Sequence, residues 1–194
     1  MKTLSLALLA LIVTLPLKAF GELSGYETHV DKEGWEYTRF PPGSHYMRSH
    51  YRWSLVLPEG VEGCTDGGVL GSHGLTLGES SGECLVERVH PAATIHSFWR
   101  DPVDFGGFSN LLRDSCKDSR VTRSRFVIDG RRFRRCPVND REVGRYVSYF
   151  AYRPGEVIYV NIFCPATGSC QAIEKKWTKL LFPSLHLDWL NTNK

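Results

Sequence analysis

Residues 145–164 read RYVSYFAYRPGEVIYVNIFC, two runs of β-branched and aromatic residues joined by Arg-Pro-Gly-Glu. Such runs favour extended strands. Proline presets φ for a turn and the following glycine accepts a positive φ, so the segment predicts a β-hairpin. Ile158, Val160 and Ile162 share one face of the second strand, because side chains alternate along a strand. We expect that face to lie in the core.

Further strands and one helix are predicted around this hairpin. Residues 51–57 alternate between apolar and polar side chains, and so do residues 185–189, which indicates two strands. Between 170 and 182 the apolar residues recur at helical spacing, with three lysines on the other side. The predicted fold class is α+β: an antiparallel sheet of about six or more strands, with a C-terminal helix packed on one face, stabilised by disulfides.

The first 21 residues have the pattern of a secretory signal peptide. Lys2 is followed by an almost wholly apolar run at 4–17 and by the small residues Ala19 and Gly21, and cleavage after either fits the pattern. That run is shorter than the ~20 residues that a membrane-spanning helix requires. We therefore predict a signal peptide at 1–21, a single domain at 22–194 with no transmembrane segment after cleavage, and a periplasmic or secreted location.

All six cysteines fall after the predicted leader, and an even number in an exported chain predicts up to three disulfides. The sequence alone does not fix the pairing. The sequential set is favoured because each pair brackets a single local feature: Cys64–Cys84, Cys116–Cys136 and Cys164–Cys170. A zinc site is disfavoured because no Cys-x2-Cys pair is present. No metal or other cofactor is expected.

Residues 120–136, RVTRSRFVIDGRRFRRC, carry seven arginines. Asp-Gly between two strand-like runs is the strongest signal for a two-residue type I′ hairpin loop, here at 129–130. A regular hairpin would set Arg125 opposite Arg134. Phe126, Ile128 and Phe133 would then face inward. The opposite face would carry four arginines: Arg123, Arg125, Arg132 and Arg134.

Two explanations of this arginine face remain open. Arginines on an exposed strand can simply be solvated, or can protect a sheet edge from pairing. Alternatively, so much positive charge on one hairpin, in a chain of formal net charge +3, suits an acidic protein partner, an anionic envelope lipid or a glycan. Nucleic acid is an unlikely partner because of the compartment and the modest overall charge.

Ser80 and His73 are the two candidates for catalysis. Residues 78–82, GESSG, match the Gly-x-Ser-x-Gly nucleophile elbow, but a strand-like run follows where the elbow requires a helix. His73 lies in a Gly-Ser-His-Gly turn, which could aim its side chain. No histidine pair has metal-binding spacing and no phosphate-binding loop precedes a helix. The chain is therefore more consistent with a binding protein than with an enzyme.

In general type the chain resembles periplasmic inhibitor and immunity proteins, which are single, disulfide-tied domains without catalytic motifs. No motif matches residue by residue, so no functional residue is transferred from them. We predict an exported, periplasmic binding protein that neutralises a toxin or enzyme by direct protein–protein contact through the arginine face. The alternative is a secreted hydrolase with a site near Ser80 or His73.

Overall fold

A computed structural model of the chain describes residues 26–30, 36–48, 53–66, 74–79, 91–100, 116, 121–153 and 155–187. The strands in these ranges are β1 (Glu27–Val30), β2 (Glu36–Phe40), β3 (His45–Arg48), β4 (Trp53–Val56), β5 (Val61–Asp66), β6 (Gly74–Glu79), β7 (Ala93–Arg100), β8 (Thr122–Ile128), β9 (Arg131–Asp140), β10 (Gly144–Arg153), β11 (Gly155–Phe163) and β12 (Leu185–Leu187). Helix α1 spans Cys170–Leu181. One antiparallel sheet has nine strands in the order β1-β2-β5-β6-β7-β11-β10-β9-β8, and a second has three, in the order β12-β4-β3.

The β10–β11 hairpin lies inside the larger sheet. The predicted hairpin is present, and Arg153 pairs with Glu156 across its two-residue loop. Ile158, Val160 and Ile162 are fully buried, which confirms the predicted core face. The other edge of β11 pairs with β7, so this hairpin has hydrogen-bonded neighbours on both sides.

The smaller sheet contains both strands that were predicted from alternation at 51–57 and 185–189. Trp53, Leu55 and Leu57 are buried, and β12 pairs with β4. The indole Nε1 of Trp53 donates a 2.9 Å hydrogen bond to the Ser97 hydroxyl on β7. Side chains of both sheets belong to one buried apolar cluster.

Helix α1 begins after Ser169, whose hydroxyl accepts a 3.4 Å hydrogen bond from the Ala172 N–H. Such a cap satisfies one of the backbone donors left open in the first helical turn. Trp177 and Leu181 are buried in the same apolar cluster as the strand residues. The fold is thus mostly antiparallel sheet with a C-terminal helix.

Two of the favoured disulfide pairs are present. Cys116 is joined to Cys136, with Cα atoms 5.7 Å apart, and Cys164 is joined to Cys170, at 4.8 Å. Cys64 is also disulfide-bonded, whereas Cys84 lies outside the described residues. So do residues 1–21, on which the prediction of a signal peptide rests. Within the described ranges, no helix has the length and apolar character needed to cross a membrane.

Candidate functional site: a basic cleft beside a bulged hairpin

The β8–β9 hairpin turns as the sequence predicts. Asp129 and Gly130 both have positive φ, 46° and 73°, which is the requirement of a type I′ loop. Ile128 pairs with Arg131 across the loop. The Asp129 carboxylate accepts a hydrogen bond from the backbone N–H of Leu187, which ties the tip of the hairpin to β12.

A bulge changes the pairing beyond the first two residue pairs. Arg134 lies opposite Arg123, so the predicted Arg125–Arg134 pair is wrong. Three residues of β8, 124–126, stand opposite the single residue Phe133. Strand-pair signals in the sequence carry no information about such an insertion.

Side chains satisfy the backbone groups that the bulge removes from the strand ladder. The Ser124 hydroxyl accepts a 3.1 Å hydrogen bond from the Phe126 N–H. Arg132 Nη1 donates to the Ser124 carbonyl at 2.8 Å. One of the four predicted arginines therefore stabilises the bulge directly.

The bulge also divides the predicted arginine face. Arg123 and Arg125 line cavities next to helix α1, whereas Arg132 and Arg134 line a separate pocket. The four arginines thus line different cavities, although Arg123 and Arg134 are paired across the two strands. Phe133 and Ile128 are buried as predicted, and Phe126 is partly buried against the core.

Two adjoining cavities, of about 450 and 700 Å³, form what we call the basic cleft. Both are bounded by Arg125 and Phe126 from the bulge and by Lys175 and Thr178 from helix α1. The smaller cavity is the apolar end, completed by Val127, Ile128, Lys179, Phe182 and Pro183. The larger is the polar end, completed by Arg123, Ser124, Arg135, Pro137, Val147, Tyr149, Cys170, Gln171 and Glu174.

Aromatic contacts hold the floor of the cleft. The ring of Phe126 stacks on Phe182 with centroids 4.8 Å apart, and meets Tyr149 edge-on at 6.0 Å. The guanidinium of Arg125 lies 5.6 Å from the centroid of the Phe126 ring. Such offset, edge and cation–π contacts favour one arrangement of the rings, so the floor is preorganised.

Arg135, Glu174 and Tyr149 form a polar network at the other end. Arg135 donates two hydrogen bonds to the Glu174 carboxylate, at 2.6 and 2.8 Å, and the Tyr149 hydroxyl donates a third. Bidentate pairing of this kind is among the stronger interactions between side chains. It joins helix α1 to strands β9 and β10.

The pKa values of this network lie far from neutrality. Burial acts to raise the pKa of Glu174, but the bonds from Arg135 and Tyr149 outweigh it, so the pKa is lower than usual. Burial, followed by the bond to Glu174, raises the pKa of Tyr149. The bond to Glu174 also raises the pKa of Arg135. General acid–base catalysis needs a pKa near the working pH, so the network is suited to fixing the structure of the cleft.

The lining of the cleft has an excess of positive charge. Its lining contains a single carboxylate, Glu174, which is already paired with Arg135. Four further cations line it: Arg123, Arg125, Lys175 and Lys179. Among the residues that the structure describes, none of these four has a carboxylate within ion-pair distance. The cleft is therefore complementary to a negatively charged ligand with an apolar part.

The pocket on the other side of the hairpin measures about 270 Å³, and we call it the arginine pocket. Its lining residues are Gly130, Arg131, Arg132, Arg134, Phe150, Ala151 and Tyr152. It contains three arginines and no carboxylate. The sequence had suggested Arg132 and Arg134 for binding, but not Arg131.

Other parts of the site were not predicted from the sequence. The sequence predicts Lys175 and Lys179 only on the outer side of a helix, although their i, i+4 spacing places both on one helical face. Arg135, Tyr149 and Glu174 come together only through tertiary contacts. Ser80 and His73, the catalytic candidates, lie outside the described residues. Within the described part of the chain, no group of three or more potential ligands could hold a metal ion.

Two solved structures show a weak likeness to the chain. No protein-family model and no curated protein matches it. Cyanobacterial PsbP (CyanoP) from Synechocystis sp. PCC 6803 is 12% identical, with a TM-score of 0.36 over 89% of this chain and 99% of that one. A protein from Bacteroides thetaiotaomicron VPI-5482 is 12% identical, with a TM-score of 0.30 over 83% of this chain. The chain spans only 48% of that protein's length. Both likenesses are too low to indicate a shared function.

Proposed function

We propose that the chain is an exported binding protein that neutralises a toxin or enzyme by direct contact, and that the basic cleft receives an acidic segment of that partner. The observation that carries the proposal is the lining of the cleft. Four cations without a paired carboxylate among the described residues surround a floor of aromatic side chains.

An acidic protein segment would satisfy both properties of the cleft. Its carboxylates would form charge-assisted hydrogen bonds with Arg123 and Arg125, which are each worth about 2 kcal/mol. An adjacent apolar side chain would fill the end lined by Phe126, Val127 and Phe182. Buried anchors inside a charged rim are the arrangement that dominates binding energy in protein interfaces.

We further infer that helix α1 packs on one face of the nine-stranded sheet. The bidentate Arg135–Glu174 pair and the hydrogen bond from Tyr149 support this arrangement. Burial of Trp177 and Leu181 in the common apolar cluster supports it further. A helix fixed in this way gives the cleft one rigid wall, which lowers the entropic cost of binding.

A periplasmic or secreted location is part of the same proposal. Disulfides such as Cys116–Cys136 and Cys164–Cys170 persist in oxidising compartments and are rare in the cytosol. The predicted signal peptide at 1–21 leads to the same inference. Both observations make an extracytoplasmic partner the natural one.

Site-specific cross-linking tests the proposal. A photoreactive amino acid would replace Val127, which is 51% exposed beside the cleft, or Val143, which is 45% exposed in the turn between β9 and β10. In cells that secrete this chain, position 127 should capture one acidic protein and position 143 should not. The purified partner should lose its activity when one equivalent of this chain is added.

Two results would overturn the proposal. One is equal capture at the two valine positions, which have nearly equal exposure and so serve as matched probes. The other is a captured partner whose activity is unchanged by a saturating concentration of this chain.

A further inference from the structure

The arginine pocket is a separate site, and we propose that it binds a compact oxyanion of the phosphate class. Arg132 and Arg134 are two residues apart on β9, so they lie on the same face of the strand. Arg131 joins them at the start of the strand, next to the Gly130 turn. Three arginines thus line one pocket of about 270 Å³.

These arginines differ from Arg39 and Arg135, which are each paired with a carboxylate. Arg39 is paired with the buried Glu62 at 3.0 Å, and Arg135 is paired with Glu174. Within the described ranges, by contrast, no carboxylate pairs with Arg131, Arg132 or Arg134. Three neighbouring like charges repel one another, and a bound anion would relieve that repulsion.

Part of the pocket is built from buried and hydrogen-bonded residues. Phe150 and Ala151 of β10 line it and are 2% and 4% exposed. Arg132 is held by its hydrogen bond to the Ser124 carbonyl, which uses one of its five N–H donors. Its remaining donors and those of Arg134 offer the planar forks that recognise phosphate bidentately.

The size of the pocket restricts the ligand. About 270 Å³ lies below the ~300–1,000 Å³ that is usual for pockets of drug-sized molecules. A phosphate group or the phosphate end of a larger molecule has the charge and compactness required. Two sources share this chemistry, a soluble phosphate monoester and the headgroup of an anionic lipid.

Inorganic phosphate is the first probe. The protein is titrated with inorganic phosphate, and chloride is adjusted to keep the ionic strength constant. The side-chain Nε–H NMR signals of Arg131, Arg132 and Arg134 should then shift saturably. The double variant Arg131→Gln/Arg134→Gln should bind phosphate about tenfold or more weakly, because two guanidinium forks are lost. Arg134→Lys keeps the charge but removes its fork, and should give an intermediate loss.

A matched pair controls for net charge. Arg141→Gln with Arg145→Gln removes the same charge from exposed positions outside the pocket, and should change phosphate affinity by less than about twofold. The proposal is overturned if phosphate causes no saturable shift in the unmodified protein. It is equally overturned if the pocket variant and the matched pair lose the same affinity, since the effect would then be one of net charge.

The source of the phosphate group is tested with two further probes. Glucose 6-phosphate represents a soluble monoester, and phosphatidic acid in phosphatidylcholine vesicles represents a lipid headgroup. Competition by either probe for the phosphate-sensitive arginine signals supports the site and identifies its source. Failure of both to compete, when inorganic phosphate binds, would overturn the assignment to phosphate-bearing molecules. Cross-linking at Val127 is independent of these results, so this site and the basic cleft can fail separately.

Discussion

Two hairpins of the larger sheet have loops of the same length but differ in the regularity of their strand pairing. In the β10–β11 hairpin, eight residue pairs run without interruption, and both outer edges pair with further strands. In the β8–β9 hairpin, a bulge interrupts the register after two pairs, and β8 ends the sheet. Both hairpins contribute side chains to the core, and the second also supports a cavity on each side. Regular pairing is thus used for stability, and interrupted pairing for presenting charge.

The position of β8 gives a physical reason for its bulge. An edge strand offers unpaired N–H and C=O groups to any passing strand, and bulges and charged side chains are common protections against such pairing. Here the bulge also turns Arg125 and Phe126 toward helix α1. Protection of the edge and formation of the basic cleft therefore share one local feature.

The largest difference in stability is expected between an alanine variant in β11 and one in β8. Ile158→Ala removes a fully buried side chain from β11 and should lower the free energy of unfolding by roughly 3–4 kcal/mol. Val127→Ala in β8 removes a side chain that is 51% exposed, and should cost less than about 0.5 kcal/mol. Urea unfolding of both variants measures the contrast. Equal losses would show that β8 is as much part of the core as β11.

The disulfides connect to these hairpins at different places. The Cys116–Cys136 disulfide is anchored in β9 and joins cysteines 20 residues apart. The Cys164–Cys170 disulfide begins directly after β11 and joins cysteines 6 residues apart. Loop-closure entropy then predicts losses of about 3 and about 2 kcal/mol when each pair is replaced by alanines. Thermal and urea unfolding of the two double variants would give the order. A larger loss for the shorter loop would contradict the entropic account.

The Arg135–Glu174 pair links the β8–β9 hairpin to helix α1, so Glu174→Gln should cost about 1–2 kcal/mol. The effect should depend on pH. The pKa of Glu174 is below its ordinary 4.5, so its contribution is fully present above pH 4.5 and is lost as the pH falls further. The unfolding free energies of the unmodified protein and the Glu174→Gln variant should therefore converge in acid. Parallel pH profiles would exclude this pair as a source of stability.

Arg132→Ala should have a smaller effect, about 0.5–1 kcal/mol, since it removes one hydrogen bond to the bulge carbonyl of Ser124. Hydrogen exchange of the Phe126 amide should rise at the same time, because that N–H lies inside the bulge. Arg141→Ala, at an exposed turn position, is the control. Unchanged exchange at Phe126 would mean that the bulge is held by other contacts.

Local signals in the sequence predicted local structure well. Pro-Gly and Asp-Gly each marked a hairpin turn, and alternation identified the two strands that became β4 and β12. Helical spacing located α1 to within a residue of its observed end. In these cases the determining interactions lie within a few residues of one another.

The site depends on interactions that no local pattern contains. The bulge at 124–126 is satisfied partly by Arg132 from the neighbouring strand. Arg135 and Glu174 are 39 residues apart, and Lys175 becomes part of the cleft only because α1 lies beside β8. The sequence therefore identified the hairpin with unusual charge, but it predicted neither the bulge nor the cavities that the arginines line.

The smallest stability change should accompany the largest change in binding. Arg125→Glu with Lys175→Glu reverses two exposed charges of the basic cleft and should alter the free energy of unfolding by less than about 0.5 kcal/mol. Arg141→Glu with Arg145→Glu makes the same charge change at exposed positions away from the cleft.

The most direct test of the account is the dissociation constant of each double variant with the partner captured at Val127, measured over a range of salt concentrations. We predict that the cleft variant binds at least about 30-fold more weakly than the unmodified protein, equivalent to about 2 kcal/mol, and that the matched variant stays within about threefold. Equal affinity of the two variants at every salt concentration would contradict the account.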